Sequence, residues 1–267
     1  LPEVLAGEKI SALAITEPSG GSDVANLRTT ARREGDHYVV NGSKMFITSG
    51  MRADYYTVAV RTGGPGAAGV SLLLIERDRE GFGRTKLKKM GWWASDTAQL
   101  FFDNVRVPVD NLIGPENKGF IGIMLNFNSE RLGMAAGAWG YAKVCLEESI
   151  AYARERHTFG KPLIANQVVR HRLVDMAMRI NAVRSTLELL AWRVGQGEKP
   201  VAEICMLKNQ ATSTMEFCAN EAMQIFGGAG YLRGAKVERI YRETKVMSIG
   251  GGSVEIMKDL AARQMGL

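Results

Sequence analysis

The sequence predicts an α+β protein, an antiparallel β unit followed by a helical one, and three observations predict it. Residues 1–115 carry short β-branched or alternating runs separated by turn chemistry, residues 116–267 carry helix-period apolar positions with few breakers, and the change of character falls near residue 115. A chain of 267 residues that is 46% hydrophobic and 23% charged has enough apolar material for real cores in both parts.

In the first part the strand runs are Tyr38-Val-Val, Met45-Phe-Ile-Thr, Tyr55-Tyr-Thr-Val-Ala-Val, Val70-Ser-Leu-Leu-Leu-Ile and Leu100-Phe-Phe. Glu34-Gly-Asp, Asn41-Gly, Gly63-Gly-Pro-Gly and Asp103-Asn lie between them and read as turns, because Gly, Asn and Asp accept the backbone angles that turns demand. In the second part the periodic segments are 118–155, 167–195, 201–226 and 254–263. Breaks rich in glycine or proline separate them, at Thr158-Phe-Gly-Lys-Pro, Gly195-Gln-Gly-Glu-Lys-Pro, Gly227-Gly-Ala-Gly and Gly250-Gly-Gly.

Composition narrows function. No apolar run approaches bilayer length and Leu1-Pro-Glu-Val-Leu-Ala-Gly-Glu-Lys lacks the features of a signal peptide, so a cytoplasmic protein without membrane contact is expected. Cys145, Cys205 and Cys218 are odd in number and lie within helical sequence, which points to buried reduced thiols. His37, His157 and His171 form no pair at ligand spacing, so no metal site is expected. The net charge of +6 calls for an anionic partner; the basic residues are scattered without interleaved aromatics, which favours a phosphate-rich small ligand over nucleic acid.

Several stretches carry candidate chemistry. In Ile15-Thr-Glu-Pro-Ser-Gly-Gly-Ser-Asp-Val24 the small residues allow close approach to an anion and Thr16 and Ser22 offer hydroxyls, although a plain surface turn selects the same residues. Arg156 with Thr158 at a helix end could hold a phosphate or act as a cationic C-cap. Gln224-Ile-Phe-Gly-Gly-Ala-Gly is either accessible backbone or a glycine C-cap. Glu130 has Phe127 and Met134 as helical neighbours, so a carboxylate leaves an apolar stripe; it is either paired with a cation or placed for chemistry.

Taken in order, Thr16-Glu-Pro-x-x-Gly-Ser-Asp23, Asn41-Gly-x-Lys-x-x-Ile-Thr48, Phe102-x-x-Val-Arg-Val-Pro108, Arg154-x-Arg-x-x-Phe-Gly-Lys161 and Gln224-x-x-Gly-Gly-x-Gly230 make the chain resemble the acyl-CoA dehydrogenases over essentially its whole length. The resemblance implies FAD, a barrel-like middle β domain (1–115) and a C-terminal four-helix bundle (116–267). It implies that Ile15, Thr16 and Ser22 touch the flavin or its pyrophosphate, Ser22 also reaching substrate, and that Phe46 and Thr48 line the ring. Many members have tryptophan where Phe46 stands. Arg156, Thr158, Phe159, Gln167, Gln224 and Gly228 match positions that hold the adenosine diphosphate part of a neighbouring subunit's FAD, which implies a homodimer or homotetramer. Ser253 and Glu255 match positions beside the cofactor; Glu255 is equally explained by a helix N-terminus.

In most members the glutamate that removes the α proton of the thioester stands in the loop before the last helix, where this chain has Gly251. The isovaleryl and long-chain branches place it on the long helix before Arg-Leu, and Glu130-Arg-Leu matches that pattern. The resemblance therefore implies Glu130 as a base in a desolvated pocket, the Gly251 amide as a donor to the thioester oxygen, and Phe127 and Arg131 beside the acyl-CoA. Met124, Met134, Met176 and Met178 would suit an adaptable acyl pocket. Electron-transfer flavoprotein is the implied acceptor; an oxidase or monooxygenase of the same fold, and a DNA-binding flavoprotein, are the alternatives. Members also carry an N-terminal helical domain that closes the site, and Leu1 falls near its expected end, so the chain is expected to lack that wall.

Overall fold

A computed structural model describes residues 1–267 as two compact units, Leu1–Leu125 and Asn126–Leu267. In the first, a short helix α1 (Pro2–Leu5) precedes strands β1 (Ser11–Ala14), β2 (Thr30–Glu34), β3 (His37–Thr48), β4 (Tyr55–Arg61), β5 (Val70–Glu76), β6 (Phe82–Lys86), β7 (Thr97–Pro108) and β8 (Leu112–Ile113). They form one sheet of order β6-β7-β3-β2-β4-β5-β8, with β1 added beside β4. The pairing is antiparallel except for β1 on β4 and the single Thr30–Arg61 pair between β2 and β4. Alternate residues of successive strands, among them Ala14, Tyr38, Val40, Val58, Val60, Leu73, Leu100 and Val107, meet in one core, so the sheet wraps round its own inner face.

Two stretches read as turns from sequence lie inside strands. Asn41-Gly42 interrupts β3 as a bulge and Asp103-Asn104 interrupts β7 opposite it. The Asn104 amide donates to Asn41 Oδ1 (2.9 Å) and Asn41 Nδ2 donates to Asn104 Oδ1 (3.1 Å), which closes the irregularity. Gly42 has φ +144°, and a Cβ there would stand 2.7 Å from Thr29 Cα. The same residue types that start hairpins here serve a bulge, because both need unusual backbone angles. Glu34-Gly-Asp does close the β2–β3 hairpin, and Gly63-Gly-Pro-Gly does link β4 to β5.

The long helix α2 (Gly119–Glu155) begins inside the first unit. A Cβ at Gly119 would meet the Ser71 backbone at 2.7 Å, and Ile123 is buried, so the first turns of α2 pack with the β core and the first compact unit runs to Leu125.

In the second unit α2 continues to a hairpin, β9 (His157–Thr158) and β10 (Lys161–Pro162), then α3 (Gln167–Gly195), α4 (Val201–Phe226), α5 (Lys236–Ile249) and α6 (Val254–Met265). Helix α4 buries Ile204, Cys205, Leu207, Lys208, Ala211, Met215, Cys218, Ala222 and Ile225 and packs on α3, α5 and α6, so it is the centre of the unit. Helix α5 is an addition to the segments read from periodicity. Its inward stripe is Val237, Ile240, Thr244 and Met247, but Glu238 and Glu243 are also buried on it and interrupt the apolar signal. The cysteines are buried and unpaired. No helix of the chain is long and apolar enough to cross a membrane.

Candidate active site

In the first unit the candidate residues lie around the end of β1 and the end of β3. Ile15 is buried, Thr16 half-buried, and Ser22 and Thr48 exposed. The Met45 amide donates to the Thr16 carbonyl (2.8 Å), which fastens the Thr16 stretch to β3. A second bulge between Lys44 and Ile47 puts Phe46 at φ +62° with its ring 67% exposed. A large aromatic held in the left-handed region and turned outward is costly in isolation, and such strain marks positions that serve a ligand.

The pair that holds this arrangement is Glu17 and Lys44, neither of which the sequence reading singled out. Lys44 Nζ donates to Glu17 Oε1 (2.9 Å) and to the Ile15 carbonyl (3.0 Å); the Thr29 amide donates to the same Oε1 (2.8 Å) and the Arg28 amide to Oε2 (2.6 Å). Burial pushes the Glu17 carboxyl up, but the Lys44 charge and the hydrogen bonds from Thr29, Lys44 and Arg28 hold it below the usual range. Burial pulls the Lys44 ammonium down to about 8 against the attraction of Glu17. Strand parity was the available signal, since Lys44 shares the inward face with Tyr38 and Val40.

In the second unit the loop after α5 is the focus. Gly251 and Gly252 have φ +65° and +107°, and added Cβ atoms would lie 2.6 Å from Met134 Sδ and 2.4 Å from Met257 Cε. Met134 stands one helical turn after Glu130, so the Glu130 face of α2 borders this loop. Glu130 itself is exposed and accepts a hydrogen bond from Asn126 Nδ2 (2.7 Å).

Arg131 is held within the fold of this unit. Its side chain is buried, donates from Nε to the Gly251 carbonyl (2.9 Å) and from Nη1 to Asn128 Oδ1 (3.3 Å), and lies 5.5 Å from the Phe127 ring centroid. The guanidinium is thereby tied to the glycine loop, with the Phe127 ring beside it. The methionines also separate: Met176 is core, Met178 is 61% exposed, Met124 lies in the first unit, and only Met134 touches the loop. Ser253 caps α6 by accepting from the Ile256 amide (3.4 Å). Exposed Glu255 is held below the usual carboxylate range by its own amide and the Ser253 hydroxyl, as a first-turn acid would be.

A second feature of this unit is an open cleft of about 410 Å³ lined by Tyr152, Arg156, Thr158, Leu163, Phe226, Gly228 and their neighbours. It brings Arg156, Thr158 and Gly228 together, beside a Tyr152–Phe226 stack (centroids 4.2 Å apart) that sequence did not single out. Arg156 is exposed and makes no ion pair within the chain, so its fork is free for an anion. Phe159 tops the β9–β10 hairpin at φ +51° and is 99% exposed, while exposed Gln167 and Gln224 lie on α3 and α4 outside the cleft lining.

The chain matches the acyl-CoA dehydrogenase middle-domain family over residues 12–105 and the acyl-CoA dehydrogenase C-terminal-domain family over residues 117–266. It belongs to the acyl-CoA dehydrogenase family. It is 42% identical to acyl-CoA dehydrogenase AFT10-1 of Alternaria alternata and 40% identical to acyl-CoA dehydrogenase apdG of Emericella nidulans, in each case over 99% of this chain. It spans 64% and 63% of the length of those relatives. The crystal structure of an acyl-CoA dehydrogenase from Geobacillus kaustophilus superposes with a TM-score of 0.98 at 42% identity, covering 100% of this chain and 71% of that one.

Family membership implies an FAD cofactor. The residues present fit one: a strained exposed aromatic with threonine and serine hydroxyls in the first unit, and an unpaired arginine beside a threonine and accessible glycines in the second.

Proposed function

We propose that the protein containing this chain is an FAD-dependent acyl-CoA dehydrogenase that introduces an α,β double bond into an acyl thioester, with Glu130 as the base. The observation that supports this most is the packing of Met134 on Gly251. It sets the face of α2 that bears Glu130 against a loop whose own residue 251 carries no side chain. Glu130, exposed and held by Asn126, is free to accept the α proton. The Gly251 amide, which donates to no acceptor within the chain, would hydrogen-bond the thioester oxygen as negative charge develops there. When bound, FAD supplies the acceptor for the hydride that leaves the β carbon.

Thr16, Ser22, Phe46 and Thr48 would hold the cofactor's ring and pyrophosphate, and Ser253 would flank it. Arg156, Thr158, Phe159, Gln167, Gln224 and Gly228 would hold the adenosine diphosphate of a second subunit's cofactor, which calls for a homodimer or homotetramer. Electron-transfer flavoprotein, acting in the cytoplasm, would take the electrons onward.

The test is anaerobic mixing of the FAD-loaded holoprotein with saturated acyl-CoA thioesters from short to long and branched. Loss of the flavin's visible absorbance with formation of the enoyl thioester is expected for at least one chain length. No bleaching across the series refutes the reading, and rapid reoxidation of the reduced protein by oxygen replaces it with an oxidase.

A further inference from the structure

Two buried cations converge on the glycine loop. Lys208, fully buried on α4, donates from Nζ to the Gly252 carbonyl (2.7 Å), while Arg131 on α2 donates to the Gly251 carbonyl (2.9 Å). Neither forms an ion pair within the chain; Cys205 feels the field of both as a thiol pushed upward by burial, and the Glu130 carboxylate acts on Arg131 only through its field. Burial, and then the repulsion of Arg131, hold the Lys208 ammonium down to about 8. Two buried charges with no carboxylate in ion-pair contact are a costly way to satisfy two carbonyls, which neutral donors would also satisfy.

Their geometry gives them a use. All peptide bonds are trans, so a carbonyl drawn to one side of its plane sends the amide of the next residue to the other. With the Gly251 carbonyl fixed by Arg131 and the Gly252 carbonyl by Lys208, the amides of Gly252 and Ser253 face away from the cations. The amides of Gly251, Gly252 and Ser253 donate to no acceptor within the chain, and the two glycines sit in the left-handed region that lets successive amides converge. Asn209, next along α4, donates to the Val254 carbonyl (2.9 Å) and extends the clamp to the start of α6.

We propose that Lys208 is a positioning residue of the active site. With Arg131 it pins the Gly251 and Gly252 carbonyls inward, which turns the Gly252 and Ser253 amides outward, fixes the glycine turn that carries the Gly251 amide, and places a positive field behind that turn where the oxyanion forms on the thioester. The inference rests on the dehydrogenase reading above but not on the identity of the base. It assigns to Lys208 a contribution to proton abstraction with little contribution to holding the acyl chain.

The experiment measures exchange of the α protons of a saturated acyl-CoA into deuterium oxide by the holoprotein, together with the Kd of the same thioester. Lys208→Met is expected to slow exchange by about thirtyfold or more, somewhat less than loss of a direct oxyanion donor, with Kd changed less than about threefold. Lys208→Arg, which keeps charge and donor, is expected to stay within about tenfold of the wild type. Exchange by Lys208→Met within about threefold of wild type overturns the proposal, as does a loss matched by an equal loss of binding. If Lys208→Met fails to fold, Lys208→Gln against Lys208→Arg decides: Gln must be at least about tenfold slower than Arg, and equality overturns the proposal. A Glu130→Gln arm separates the two claims, since undiminished exchange there removes Glu130 as base while leaving the Lys208 comparison valid. Absence of exchange in the wild type overturns both.

Discussion

Breaking the Glu17–Lys44 pair is expected to destabilise the β unit far more than a surface ion pair would. The Lys44 side chain has 0% exposure and the Glu17 side chain 4%, at 2.9 Å. Glu17→Gln leaves the ammonium buried with only neutral carbonyl acceptors and no counter-charge, a situation that costs about 3–5 kcal/mol. Lys44→Met should cost less, about 2–3 kcal/mol, because the Glu17 carboxylate keeps the amides of Arg28 and Thr29. The double variant should cost less than the sum of the singles by at least about 1 kcal/mol. Because the chain has two units, global unfolding is a poor measure. Hydrogen exchange of β3 amides, compared among the four proteins, reads the opening energy of the β unit directly. Single-variant costs below about 1 kcal/mol, or simple additivity, would refute the claim that this pair holds the Thr16 stretch to β3.

Further expectations follow from the same geometry. Since the Glu17 carboxyl sits below its ordinary 4.5 when folded, its stabilisation is complete above that value and disappears as pH falls through the folded-state value. Lys44, at about 8, contributes no slope there, so the acid limb of β-unit stability should flatten in Glu17→Gln. Phe46→Gly should leave the cofactor-free protein as stable as wild type or stabilise it by up to about 1 kcal/mol, since it relieves the left-handed conformation of a ring 67% exposed. It should weaken FAD retention by roughly threefold to tenfold, as measured by equilibrium release, through lost stacking. Gly251→Ala should cost about 1–3 kcal/mol in thermal or denaturant unfolding, from φ +65° and the 2.6 Å approach to Met134 Sδ. Combining it with Met134→Ala should recover the steric part alone.

Much of the site was legible because its residues are read by type and order. Phe46 stands on a bulge, Arg156, Thr158 and Gly228 meet in one cleft, and Glu130 lies one turn before the methionine that packs on the glycine loop. What escaped was the long-range partnering of buried lysines. Lys44 finds Glu17 across 27 residues and Lys208 finds Gly252 across 44, and a lysine in sequence reads as exposed until its position in a strand or helix period is checked. The Asn41-Gly42 and Asp103-Asn104 bulges were taken for turns because local chemistry is shared between the two, and only the pairing of β3 with β7 distinguishes them. Helix α5 was hidden by Glu238, whose inward position is possible because Arg242 lies one turn along to pair with it.

The central claim is that the base stands on α2 and not in the loop after α5. Single-turnover reduction of the holoprotein by its acyl-CoA, followed at the flavin's visible band in wild type and Glu130→Gln, tests it most directly. With FAD content unchanged, the account predicts a rate lower by about a hundredfold to ten-thousandfold in Glu130→Gln. A rate within about threefold of wild type would contradict it.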